Sequence, residues 1–164
     1  MNVHFRLGRP DDARAIGVLA RRVTRRWILP RQSAKAAALI LAGMTARSIR
    51  QKIDAGQRFH LAFVNDVLVG TAAIRDDSHV FQLFVGTRYQ GQGVATKLWH
   101  RLMRDSIRRA GTRFFTLNAA IGAVPVYLSL GFEPNAAAKR PADAIVSVPM
   151  IYRVGAARHA RHRG

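Results

Sequence analysis

The sequence predicts an α+β layer fold on a mixed sheet, and three observations carry that reading. Three β-rich runs follow one another on short polar turns between residues 59 and 85, which describes an antiparallel meander. The third run leads through a glycine-rich loop into the clearest amphipathic helix, Val94 to Ala110, and then into a further β-rich run, so those two strands lie parallel. Helical periodicity fills most of the chain before the meander.

Taken in order, Val3–Leu7 alternates apolar and polar residues, as a strand with one buried face does. Pro10 with Asp11 and Asp12 starts a helix whose stripe is Ile16, Leu19, Ala20, Val23 and Trp27; Pro30 breaks it. Ala34 to Ala55 reads as one or two helices, interrupted near Gly43. Phe59–Val64 and Val67–Ile74 flank the turn pair Asn65-Asp66, and Asp76-Asp77-Ser78 is the next turn. Val80–Val85 is almost wholly apolar and belongs in the middle of the sheet. Val94, Leu98, Trp99, Leu102, Met103 and Ile107 form the stripe of the long helix, which Gly111 ends. Thr112–Leu117 is a strand parallel to Val80–Val85, and Val124–Leu130 is a short helix stopped by Gly131. Ile145–Arg153 is the last strand, with Pro149 assigning it to an edge or a bulge. Residues 1–153 form one domain on this reading, and 154–164 a basic disordered tail.

The 164 residues are 49% apolar, enough for a packed core. There is no cysteine, which removes disulfides, a thiolate nucleophile and cysteine-bound zinc, and no metal site is expected. The N-terminus lacks a long apolar run and no stretch is long enough to cross a bilayer, so a cytoplasmic protein without a membrane role is expected. Four lysines and 23 arginines against nine acids give a net charge of +18. That balance attracts anions, nucleic acid included, although no basic motif interleaved with aromatics supports nucleic acid, and an Arg- and Ala-rich codon usage is the plainer account of it. Glu133 is the only glutamate.

The segment FQLFVGTRYQGQGVATKLW runs from strand through glycine loop to helix. Free N–H groups and the dipole at such a helix start suit a phosphate or diphosphate, and glycine lets the backbone approach it. A nucleoside-triphosphate loop is excluded because Gln92 and Gly93 stand where Lys and Ser/Thr are needed. A dinucleotide loop is excluded because Thr96 replaces its third glycine and no acid follows about twenty positions later.

Gln90-Gly91-Gln92-Gly93-Val94-Ala95 instead resembles the Gln/Arg-x-x-Gly-x-Gly/Ala loop of the GNAT superfamily of acyl-CoA N-acyltransferases. AVPVYLSLGF resembles that family's Tyr-x3-Gly-Phe segment, FRLGRPDDARAIGVLA its first strand and helix, and LAFVNDVLVGTAAIRD its second and third strands. The likeness covers residues 3 to about 133. It implies a mixed, mostly antiparallel central sheet with helices on both faces and a splayed parallel strand pair in the middle. It implies an N-acetyltransferase that uses acetyl-CoA and passes the acetyl group directly to a primary amine of a small molecule or protein.

By the same resemblance, the main chain of Phe84 and Val85 holds the pantetheine arm, as an added strand does, and a nearby backbone N–H polarises the thioester carbonyl. The amides of Gln90, Gly91, Gln92, Gly93, Val94 and Ala95 hold the diphosphate, and Tyr127 protonates the leaving thiolate. Many members carry an asparagine seven residues before that tyrosine; Ala120 stands there, and neighbouring Asn118 is the candidate for the contact. Thr87 replaces a proline common in the family. The general base is open between His79, Asp76, Asp77 and a water relay; Gln82 does not titrate, and Glu133 reads as a surface residue. The acceptor pocket is expected from the Arg25–Ala42 region and the loop after Asn135. Two alternatives stand beside this reading: an acetyltransferase directed to nucleic acid, with aminoacyl-tRNA as acceptor, and a CoA-binding module without catalysis. A homodimer rests on family habit alone.

Overall fold

Among the described residues the β-branched and aromatic runs pair into one sheet of seven strands in the order β1-β2-β3-β4-β5-β7-β6. In the computed structural model, which describes residues 1–138 and 145–155, the strands are β1 (His4–Leu7), β2 (Arg58–Val64), β3 (Val67–Arg75), β4 (His79–Val85), β5 (Phe114–Ala119), β6 (Glu133–Pro134) and β7 (Val148–Arg153). The helices are α1 (Ala13–Trp27), α2 (Ala34–Ala42), α3 (Ala46–Asp54), α4 (Val94–Ala110) and α5 (Val124–Ser129). The expected meander is β2-β3-β4, all antiparallel. Its turns rest on Asn65, Asp66, Asp76 and Asp77, whose φ angles of 48°, 62°, 54° and 50° suit tight hairpins.

Alternation along the strands divides the core between the two sheet faces. Phe59 and Leu61 of β2 pack with Ala13 and Ile16 of α1 and Ile49 of α3. Ala62 joins Leu98, Trp99 and Leu102 of α4 on the opposite side. The indole of Trp99 sits among Phe115, Phe132 and Tyr152, with ring centroids 5.1, 4.8 and 5.2 Å away. Helices therefore cover both faces, and the fold is the mixed α+β architecture expected from sequence.

The segment 34–55 resolves into two helices. Ser33 caps α2 by accepting from the Ala36 N–H, and Thr45 caps α3 by accepting from the Ser48 N–H. Pro149 does not mark an edge strand as expected: β7 lies between β5 and β6. The proline is tolerated because β6 pairs only at Met150 and Ile151, and at Pro149 the carbonyl alone is engaged, by the Asn135 N–H at 2.9 Å. The expected basic tail begins with Val154, whose N–H bonds the Arg113 carbonyl at 2.9 Å; residues 156–164 and part of the loop after Asn135, residues 139–144, lie outside the described residues.

β4 and β5 are parallel and meet at a single register pair, His79 with Thr116. Beyond that pair the two strands separate, and the sheet opens into a wedge.

Candidate functional site

The wedge is the floor of a cavity of about 790 Å³. β4 lines it along its full length, β5 contributes Leu117 and Asn118, α5 contributes Val126 and Tyr127, and Gly91, Gly93, Val94 and Ala95 stand at one end. The far wall is Val23, Trp27 and Ile28, with Ile40 and Met44, and Ile145, Val146 and Ser147 complete it. Of the two regions expected to form the acceptor pocket, the first lines the cavity through Trp27, Ile28, Gln32 and Ile40 rather than Arg25 and Arg26. In the loop after Asn135, residues 135–138 do not line it and 139–144 lie outside the described residues, whereas Ile145–Ser147, expected as strand, line it as the approach to β7, which starts at Val148.

The loop owes its shape to its glycines. After a turn at Thr87–Tyr89, Gly91 and Gly93 have φ of 74° and 82°, values that an L side chain rarely adopts. Successive amides are thereby turned to form a cradle for an anion at the start of α4. Among the described residues, no backbone carbonyl accepts from the N–H groups of residues 91–95. Gln90 Nε2 donates to the Val85 carbonyl at 3.0 Å and pins the loop to the end of β4. Gln92 points away: it is exposed, its Nε2 donates to the Arg88 carbonyl at 3.3 Å, and it alone of the expected cofactor residues does not line the cavity. Trp27 Nε1 donates to Thr87 Oγ1 at 3.2 Å, which ties the end of α1 to the loop through the residue that replaces the family's proline.

Tyr127 packs edge-on against Phe132 at 5.8 Å, and its withdrawal from water pushes the phenol pKa up to about 12. The group is protonated throughout the neutral range. Of the base candidates, His79 lines the cavity, whereas Asp76, Asp77 and Glu133 do not. Asp77 is held by Arg109 at 2.9 Å, and Glu133 faces Arg153 at 3.4 Å on the surface. His79 Nδ1 lies 2.8 Å from Thr116 Oγ1. Burial, and then the charge of Arg75, lower its pKa, so the imidazole is neutral at pH 7. With the proton on Nδ1, that nitrogen donates to Thr116 and Nε2 is left as an acceptor.

Two features escaped the sequence reading. Gln82 is 3% exposed, lines the cavity, and its Oε1 has no hydrogen-bond partner. An amide does not titrate, but a buried acceptor beside a cavity calls for a donor. Gln32 exchanges two hydrogen bonds with Val146, Nε2 to the carbonyl at 2.9 Å and the Val146 N–H to Oε1 at 3.0 Å, and so links the α1–α2 connection to the approach to β7. Nothing local in the sequence marks that pair. No Asp, Glu, Lys or Arg lines the cavity among the described residues, despite the net charge of +18.

A family model described as the acetyltransferase (GNAT) domain matches residues 28–154. The GCN5-related N-acetyltransferase of Rhodopseudomonas palustris superposes with a TM-score of 0.76 at 18% identity, over 94% of this chain and 97% of that one. The PaiA N-acetyltransferase of Thermoplasma acidophilum, solved in complex with coenzyme A, gives 0.75 at 14% identity over 93% and 99%. YncA of Salmonella typhimurium, solved with its cofactor acetyl-CoA, gives 0.63 at 20% identity over 93% and 94%. At these identities the likeness is one of fold. No curated protein matches the sequence.

Proposed function

Because the chain belongs to the acetyltransferase (GNAT) domain family, we propose that it transfers an acetyl group from acetyl-CoA to a primary amine carried on an uncharged, largely apolar body. The observation that carries the reading is the glycine cradle of residues 91–95 standing at one end of the wedge between β4 and β5.

The residues present suit a coenzyme A thioester. The unbonded amides of residues 91–95 match a diphosphate, and the flank of β4 at Phe84 and Val85, which β5 leaves unpaired and where Gln90 takes the Val85 carbonyl, offers its remaining main-chain groups to an amide-bearing arm that adds to the sheet as a strand does. Bound there, acetyl-CoA supplies an activated acetyl group. Asn118, exposed on the β5 side of the wedge, reaches the same arm in this reading.

The amine must shed a proton before it attacks, since a free alkylamine has a pKa of about 10.4. Neutral His79 receives that proton, directly or through water. Gln82 Oε1 accepts a second amine N–H and aims the lone pair at the carbonyl carbon. The C–N bond forms, the C–S bond breaks, the Tyr127 hydroxyl donates its proton to the departing sulfur, and the extra proton on the new amide nitrogen passes to the phenolate, directly or through water, which restores Tyr127. Among the described residues no carboxylate stands in the walls, which weighs against a polyamine or lysine-rich acceptor, whose distant ammonium groups find no counter-charge there, and Trp27, Ile28, Ile40 and Met44 favour an apolar one.

The test is to measure coenzyme A binding by calorimetry and thiol release from acetyl-CoA with an amine panel. Binding in the micromolar range with turnover of an arylalkylamine is the expected result. Failure of coenzyme A to bind at millimolar concentration refutes the reading.

A further inference from the structure

A second concavity, of about 370 Å³, lies between the β1–β2 edge of the sheet and the flank of α4, and shares no lining residue with the first. α4 supplies Lys97, Arg101, Arg104 and Arg108, and β1 supplies Arg6. The four helix positions follow at steps of four, three and four residues, which sets them in one row. At a rise of about 1.5 Å per residue, the row runs for about 16 Å.

Counter-charge is scarce there. Asp105 is the one carboxylate lining the groove among the described residues, and Arg58 at 2.7 Å, Arg108 at 3.3 Å and His60 at 3.4 Å already surround it. Arg6 is engaged by Asp12 at 2.8 Å. Lys97, Arg101 and Arg104 have no carboxylate within ion-pair distance among the described residues, and Arg101 lies over the Phe5 ring at 4.5 Å. His60 lines the groove at 7% exposure, and its Nε2 makes no hydrogen bond.

An arginine-rich composition scatters bases; it does not by itself align them over a concavity, where like charges one turn apart destabilise the helix that bears them. We propose that this groove binds a compact oligophosphate anion, two or three linked phosphoryl groups lying along the row Lys97, Arg101, Arg104 and Arg108. Guanidinium forks meet phosphate oxygens in pairs, and the long side chains, rooted about 5–6 Å apart along the row, converge on one short anion. The concavity has the volume of a small-ligand site, about 300–1,000 Å³. It lacks the open aromatic faces on which nucleic-acid bases stack, because Arg101 covers Phe5.

The probe is inorganic tripolyphosphate, titrated calorimetrically with coenzyme A held at one equivalent of the protein, so that its own diphosphate does not flood the groove. Two double variants are compared, Lys97→Gln/Arg104→Gln in the groove and Arg22→Gln/Arg47→Gln on other exposed helix positions. Both remove the same charge and leave the α4 glycine cradle intact, so the comparison holds whether or not coenzyme A binds. The expected result is one saturable site, weakened about tenfold or more by the groove pair and less than about threefold by the control pair. Equal losses in the two pairs, or no saturable binding, reduce the groove to a solvated basic face and overturn the proposal. Tighter binding of a single strand of about 20 nucleotides, with affinity rising with strand length, overturns it in favour of a nucleic-acid track.

Discussion

Replacing Tyr127 by Phe separates the chemistry of the phenol from its packing. The ring contact with Phe132 survives the change, and no hydrogen bond of the hydroxyl is lost among the described residues, so stability should move by less than about 1 kcal/mol. Coenzyme A affinity should be unchanged. Turnover should not be. A positioned proton donor is typically worth about 10²–10⁴ in rate. With its pKa pushed up to about 12, the phenol is a weaker acid than an ordinary thiol at about 8.5, so transfer to the thiolate is uphill on its own and is completed only as the acidic amide nitrogen returns a proton to the phenolate. That uphill transfer puts the expected loss at the lower end, about 10². The assay is thiol release at saturating acetyl-CoA and amine, with calorimetry for coenzyme A. Since a group of pKa about 12 is ionised to only about 10⁻³ at pH 9, the wild-type profile should show no falling limb from this residue below pH 9. A variant turning over within about twofold of the wild type would refute the donor role.

Four further outcomes are expected. Gly93→Ala forces an alanine to φ near 82° at a position with nothing within 4 Å of the added Cβ, so strain rather than a clash of about 1–2 kcal/mol should lower coenzyme A affinity roughly tenfold, read by calorimetry. Gln82→Met removes the orphaned buried acceptor; it should hold or raise the melting temperature while KM for the amine rises about tenfold, and an unchanged KM rejects the contact. His79→Gln should lower kcat at pH 7 by about tenfold or more with coenzyme A affinity intact, and should remove the limb where wild-type activity falls below pH 6.5 as the imidazole is protonated. His60 is buried beside Asp105, Arg58 and Arg101, and burial as the leading cause lowers its pKa to about 4. Between about pH 6.5 and 4 the unfolded chain binds a proton that the native state refuses, so stability falls as pH falls, by at most about 1.4 kcal/mol per pH unit. Urea melts at pH 7 and 5 should show a smaller drop for His60→Gln than for the wild type.

The long helix was legible to its ends, because a stripe of apolar residues sustained from Val94 to Ile107 and a C-terminal Gly111 leave one answer. The hairpins were legible because Asn65-Asp66 and Asp76-Asp77 tolerate positive φ. β6, at two residues, has no period to read. β5 starts at Phe114 rather than Thr112 because the Thr112 hydroxyl bonds the carbonyls of Asp77 and Ser106 and serves as a junction instead. In the site, the glycine cradle was readable since its conformation is local. The contact of His79 with Thr116 depends on register between strands 37 residues apart, and the Gln32–Val146 exchange joins positions 114 apart. Neither leaves a mark in any short window of sequence. Which of three neighbouring candidates faces the cavity was settled by the direction of one hairpin.

The lone rung between His79 and Thr116 has a consequence beyond opening the wedge. The strands on its two sides are nearly separate ladders, latched at one end and braced by the aromatic packing of Trp99. Whatever threads between them acts as a missing rib. An occupant that bonds to β4 stiffens the frame while it is being used, and its departure slackens the same frame, so loading and rigidity rise and fall together.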